Sequence, residues 1–316
     1  MRRLDDGLFE VGAARSEAYV ERDGHRLWFS DSGEVAEVPL LLIHGGPGGR
    51  SSPLYRRLVD GRTWRIVQFD QRGCGQSLPP PNVARTDQNS LAYTLSDIEA
   101  IRERLGVERW VVAGGSWGST VALAYAQAYP KRCMGLLLVS TWLLRRADIE
   151  WWFHGVRTVF PELWHAFSKL ADPDQRGDLR SAYHQMIFGQ DAVLAERACR
   201  ALFAYEEGFM HAEAPFAPLE IGAAQNYAQI FIHYAINDFF LREGQLLEDA
   251  HRVAHLPAML VSGRYDMCTP VCNAWDLAAR LNNAELQVIP GAGHYPTEPA
   301  LAQACARASK ELRNRL

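Results

Sequence analysis

The chain has 316 residues, 48% hydrophobic and 22% charged, with a formal net charge of −4, a composition that suits a globular protein with one sizeable core and room for an insertion. So small a charge gives no reason to expect nucleic acid or an anionic membrane as a partner, and no uninterrupted apolar run reaches the ~20 residues that a bilayer-spanning helix needs. Six dispersed cysteines without C-x-x-C spacing predict free thiols in a cytoplasmic protein rather than a disulfide framework or a zinc site, and Asp5-Asp6 after Arg2-Arg3 replace the apolar stretch of a signal peptide.

In chain order, residues 17–21 and 26–29 flank Asp23-Gly24 and predict a hairpin. Residues 38–43 form a short continuous apolar run, the mark of a strand buried on both faces, and end in the glycine-rich loop of residues 44–49. A second such strand, residues 64–69, runs into Asp70-Gln71-Arg72-Gly73-Cys74-Gly75. Residues 96–105 carry Ile98, Ile101 and Leu105 on one helical face. A strand follows at 110–113, a helix at 119–129 stopped by Pro130, and a strand at 134–139. Strand and helix thus alternate over 38–139, as in a mostly parallel sheet with helices on both faces. From 142 to 255 the spacing is helical and aromatics are dense, among them Trp142, Trp151, Trp152 and Phe153; strands return at 258–262 and 286–289. The expected organisation is an α/β core in two parts, residues 1–141 and 256–316, with a helical cap, residues 142–255, inserted between them.

Gly114-Gly115-Ser116-Trp117-Gly118 has the G-x-S-x-G spacing of a nucleophile elbow, in which glycines relieve crowding around a serine on a tight strand-to-helix turn. With a strand before it and a helix after it, Ser116 reads as the nucleophile of a serine hydrolase of the α/β-hydrolase fold. The hydroxyl needs a base and the base an orienting acid; the chain order in this fold is serine, acid, histidine. Asp266 and His294 follow the strands at 258–262 and 286–289, so both fall at the sheet edge that carries Ser116. His44 and Asp70 also follow strands but precede the elbow, and structural roles are expected for them. His154, His165, His184, His211, His233, His251 and His255 lie in or near the cap and read as packing or surface residues. The oxyanion donors expected are the amide of Trp117 and that of Gly46, since Pro47 has no N–H. This machinery calls for no cofactor and no metal. The partner expected is a small molecule or short peptide; the oligomeric state is left open.

Together with His44-Gly45-Gly46-Pro47-Gly48-Gly49, Gly263-Arg264-Tyr265-Asp266 and Gly291-Ala292-Gly293-His294, these motifs resemble the prolyl aminopeptidase (proline iminopeptidase) family over about residues 17–300. The resemblance implies the triad Ser116, Asp266 and His294 and release of N-terminal proline from peptides. In that family acidic cap residues hold the substrate's ammonium and apolar side chains surround the proline ring. Glu206 matches one such carboxylate, and a solvated acid on the cap surface beside Glu207 is the other reading of it. Phe231 stands where the second is usual, Ala235 where a phenylalanine packs on the ring, Phe153 where a tyrosine is usual and Thr269 where a cysteine falls; Trp142 matches a pocket aromatic. A weakened amine clamp leaves a specialised esterase, amidase or thioesterase for a bulky apolar substrate as the alternative. A non-catalytic ligand-binding protein on the same fold is the alternative from another class.

Overall fold

The structure, a computed structural model, describes residues 8–10, 13–34, 37–81, 86–210 and 221–316; the Arg2-Arg3 and Asp5-Asp6 segment and His211 lie outside them. Among the described residues the strands are β1 (Ser16–Arg22), β2 (His25–Gly33), β3 (Val38–Ile43), β4 (Trp64–Phe69), β5 (Trp110–Ser116), β6 (Cys133–Thr141), β7 (Ala258–Gly263) and β8 (Ala284–Ile289). They form one eight-stranded sheet in the order β1-β2-β4-β3-β5-β6-β7-β8. β2 is antiparallel to both neighbours, and every other pair is parallel. The β1–β2 turn is made by Asp23 (φ 50°) and Gly24 (φ 79°), a left-handed pair that suits this dipeptide.

The helices of the first part are α1 (Pro53–Arg56), α2 (Leu91–Arg104) and α3 (Trp117–Ala128). α2 begins five residues before the expected start because Leu91 and Thr94 are buried with Ile98 and Ile101, which extends the apolar stripe by more than a turn. Between β6 and β7 every described element is helical: α4 (Arg146–Phe153), α5 (Pro161–Ser168), α6 (Leu179–Ile187), α7 (Ala192–Met210), α8 (Ile221–Ile236), α9 (Gln245–Glu248) and short 3₁₀ turns. α10 (Cys272–Ala278) and α11 (Pro299–Asn314) complete the chain.

Side chains alternate across each strand, and the sheet separates two cores. Leu41, Ile43, Val112, Leu136 and Leu138 face α2 and α3 in a core that continues into the helices between β6 and β7. Leu40, Leu42, Val111, Ala113, Leu137 and Val139 face the other way, against Leu301, Cys305 and Leu312 of α11. Just past the end of β4, the fully buried Arg72 donates to both Asp97 oxygens at 2.7 Å, to Asp23 at 2.9 Å and to the Gln88 carbonyl at 2.9 Å. A buried guanidinium left unpaired costs several kcal/mol, so this network fixes the loop that follows β4.

Candidate active site

Ser116 ends β5 and precedes α3 with φ 56° and ψ −128°, a strained conformation that turns its side chain out of the strand. The glycines around it are required by space. A Cβ on Gly114 would lie 2.1 Å from the Gly118 carbonyl oxygen, and one on Gly118 would lie 2.3 Å from that of Ile43. The first turn of α3 therefore packs directly on the end of β3, with the Trp117 amide at the head of the helix.

His294 and Asp266 meet at the same sheet edge. His294 Nδ1 lies 2.9 Å from each oxygen of Asp266, so Nδ1–H donates to the carboxylate and Nε2 is left to face outward. Asp266 also accepts from the Thr269 amide at 2.8 Å and from Thr269 Oγ1 at 2.9 Å. Burial disfavours the charged imidazole of His294, but the charge and hydrogen bond of Asp266, with Glu206 and Glu298 further off, outweigh it and raise its pKa above the ordinary 6.5. The His294 loop is pressed onto β7: a Cβ on Gly263 would lie 2.0 Å from the Gly293 carbonyl oxygen.

The loop after β3 lies against Ser116. A Cβ on Gly45 would be 3.3 Å from the Gly115 oxygen and 3.5 Å from Ser116 Cβ. Gly46 has φ 132°, a backbone reserved for glycine. His44 serves as scaffold here: its Nδ1–H donates to the Gly45 carbonyl at 2.8 Å, and its Nε2 accepts from the Gln71 amide at 3.1 Å. Gln71 Oε1 in turn accepts from Trp117 Nε1 at 2.8 Å. Burial lowers the His44 pKa, which keeps the ring neutral and this tautomer in place. Asp70 accepts from the amides of Ser51 (2.7 Å) and Gln76 (2.8 Å), bonding loop backbone on both sides. Two contacts brace these loops against the helices between β6 and β7. A Cβ on Gly48 would lie 2.7 Å from the Tyr227 carbonyl oxygen, and the His294 amide donates to the Met210 carbonyl at 3.1 Å.

A cavity of about 470 Å³ opens on Ser116 and His294. α7 contributes Phe203, Glu206, Glu207 and Met210 to its wall, and α8 contributes Asn226 and Tyr227. Glu206 is buried and accepts from the Tyr227 hydroxyl, with Cys268 Sγ 3.9 Å from its other oxygen. Burial pushes the Glu206 carboxyl up to about 7, against the lowering effect of the Tyr227 hydrogen bond. Glu207 accepts from the Tyr295 hydroxyl.

Of the pocket residues expected from sequence, Glu206 lines this cavity, whereas Trp142, Phe153, Phe231, Ala235 and Thr269 are buried and do not line it. Phe231 stacks on Tyr227 with ring centroids 5.8 Å apart and lies 4.7 Å from the Trp152 ring. Phe153 packs on Trp152 and Trp142 on Phe239, and Ala235 is fully buried. Thr269 holds Asp266. Tyr227, Asn226 and Tyr295 were not singled out by the sequence. Tyr227 is one turn before Phe231 on α8, so helical spacing puts both on one face without telling which reaches the cavity.

The α/β-hydrolase fold family matches residues 38–299. The chain is 39% identical over 288 residues to a probable proline iminopeptidase of Leptolyngbya boryana, covering 89% of this chain and 88% of that protein. It is 36% identical over 313 residues to the proline iminopeptidase of Neisseria gonorrhoeae, covering 98% of this chain and all of the relative. The solved structure of a proline iminopeptidase from Mycobacterium smegmatis superposes with a TM-score of 0.63 at 18% identity, covering 95% of this chain and 98% of that one, and so shares the fold. The fold and the matched residues define a hydrolase of the α/β-hydrolase class. Within that class, at this identity over nearly its whole length, the chain belongs to the proline iminopeptidase family. No helix among the described residues is long and apolar enough to cross a membrane.

Proposed function

We propose that this hydrolase is a serine aminopeptidase that releases N-terminal proline, or a related free-amine acyl group, through an acyl-enzyme at Ser116. The observation that carries the reading is Glu206, a buried carboxylate in the wall of the cavity that also holds Ser116 and His294. A carboxylate this far from water needs a charged partner when it is ionised, and the Tyr227 hydroxyl and Cys268 Sγ, which meet its two oxygens, carry no charge. A substrate ammonium supplies that charge.

In this reading His294 Nε2 takes the Ser116 proton as the oxygen attacks the carbonyl, and Asp266 holds the imidazolium through Nδ1–H. The amides of Gly46 and Trp117 stabilise the oxyanion. The leaving amine takes the proton from His294, and water, activated by the same histidine, releases the acyl group. The substrate is a small molecule or short peptide. The six free cysteines, five of them buried, suit a reducing, cytoplasmic setting.

The test is turnover of L-prolyl-p-nitroanilide by the purified protein beside N-acetylated and des-amino analogues. Turnover that requires the free amine and vanishes in Ser116→Ala supports the reading. Efficient hydrolysis of amine-free aryl esters, with none of the prolyl substrate, favours the esterase or thioesterase alternative, for which the apolar side chains of Phe203 and Met210 in the wall speak.

A further inference from the structure

The catalytic cavity does not end at Ser116. Its wall continues to Leu42, Leu58, Val59, Leu137, Val139 and Cys305, all of which belong to the core on the α11 face of the sheet, opposite the face covered by α3. Strand alternation explains how it gets there. On that face β5 presents Val111, then Ala113, then Gly115, so its side chains shrink to nothing as the strand approaches the nucleophile. A Cβ on Gly115 would meet nothing nearer than the Val139 oxygen at 3.7 Å, which is ordinary contact distance. The neighbouring side chains show the same opening. Leu42 and Val139 keep 8% and 6% of their surface exposed, whereas Leu40 and Val111, nearer the strand starts, keep none. The cavity thus has an acidic half under α7 and α8, with Glu206, and an apolar half beneath the sheet edge, with Ser116 between them. At about 470 Å³ it falls within the ~300–1,000 Å³ of sites that enclose whole drug-sized ligands, more than one five-membered ring needs.

We propose that the apolar half binds a straight hydrocarbon portion of the leaving group, so that the favoured substrates join a free-amine acyl group to an apolar alcohol or amine. The placement assigns the halves, and it rests on the aminopeptidase reading above. The acyl group is anchored by its ammonium at Glu206, so the component on the other side of the scissile carbonyl extends away from α7, toward Leu42, Leu137 and Val139. For an ester, the Ser116 Oγ–acyl carbon bond forms, the bond to the alkoxy oxygen breaks, and that oxygen takes the proton held by His294. Water then returns the acid and free Ser116.

The test uses L-prolyl esters of straight-chain alcohols from methanol to octanol, with L-prolyl-p-nitroanilide as reference. In the wild type kcat/KM is expected to rise about threefold to fourfold per buried methylene until the chain fills the space. The octyl-to-methyl ratio is expected to collapse toward one in Ala113→Leu, which fills the channel from β5, and in Cys305→Leu, which fills it from α11; the second variant serves if the first fails to fold. A wild-type ratio within about twofold of one, with prolyl-p-nitroanilide turned over, overturns the channel, as does a ratio that survives both substitutions. An amine-free readout separates the two ideas: hydrolysis of methyl and octyl acetate, from which the same alcohols leave. Much faster hydrolysis of the octyl ester without turnover of any prolyl substrate removes the amine reading and upholds the apolar subsite. Equal rates on the two acetates count against that subsite whatever the prolyl substrates do.

Discussion

Replacing Glu206 by glutamine keeps the side chain's shape and removes its charge. In the proposed complex the lost partner is a buried carboxylate facing an ammonium, and breaking one side of such a pair costs about 2–5 kcal/mol. The glutamine oxygen still accepts a hydrogen bond, so the lower part of that range applies, about 2–3 kcal/mol, or about 30- to 150-fold in kcat/KM for prolyl-p-nitroanilide. An amine-free ester makes no use of the charge and is expected to change by less than about threefold. The pH profile carries a second signature. The Glu206 carboxyl titrates at about 7 and must be ionised to hold the ammonium, so kcat/KM for free-amine substrates falls as the pH drops through 7, and this dependence disappears in Glu206→Gln. Stability moves the other way. The folded-state pKa is raised from 4.5 to about 7, so the folded form binds the proton more tightly than the unfolded one. The associated stability is full below 4.5 and is lost as the pH rises through 7, by about 3 kcal/mol. The variant's Tm is therefore expected to exceed the wild type's at pH 8.5 and to approach it at pH 5. Equal losses on the prolyl and amine-free substrates, with no change in pH profile, would refute the assignment of Glu206 to the amine.

Asp266→Asn removes the acceptor for His294 Nδ1–H; kcat is expected to fall about 10⁴-fold with KM little changed, measured by steady-state kinetics on a p-nitroanilide. For amine-free esters the acid limb of kcat/KM is expected above pH 6.5, because His294 must be neutral to act as base and its pKa is raised by Asp266; a limb well below 6.5 contradicts this. Thr269→Val removes the hydroxyl that donates to Asp266 at 2.9 Å. It is expected to cost about 1–3 kcal/mol in urea unfolding and about tenfold in kcat, a loss of orientation rather than of binding. Gly263→Ala places a methyl 2.0 Å from the Gly293 oxygen and displaces the loop of His294, so the rate at which a fluorophosphonate labels Ser116 is expected to fall by more than tenfold.

The positions of Ser116, Asp266 and His294 at strand ends are legible in the amino-acid sequence. Ser116 sits in a motif whose glycines are forced by close backbone contacts, and Asp266 and His294 follow strands that apolar runs announce. The buried strands β3, β4 and β7 have almost their expected limits, since most of their side chains are apolar and buried. β8 begins two residues before its expected start because Glu285 stands on a half-buried edge strand, where polar side chains are tolerated. The pocket is less legible. Which of Tyr227, Phe231 and Ala235 meets the cavity depends on the rotation of α8 against α7 and α4, and Phe231 turns to the rings of Trp152 and Phe153. The apolar half under the sheet leaves a still fainter trace, because it arises from side chains that are small, Ala113 and Gly115, at a strand end where small residues are already demanded by the tight turn at Ser116.

The contacts of Gly48 with the Tyr227 carbonyl and of the His294 amide with the Met210 carbonyl make the helices between β6 and β7 part of the mould in which the reaction centre is cast. Those helices are the obvious segment to exchange between relatives when a new specificity is wanted. A chimera that transplants them inherits the donor's backbone course at positions 210 and 227, and with it the seating of both the loop of residues 44–49 and His294. In the proposed reading selectivity and turnover are thus mechanically linked, and grafting individual side chains onto α7 and α8 is expected to disturb less than replacing the helices that carry them.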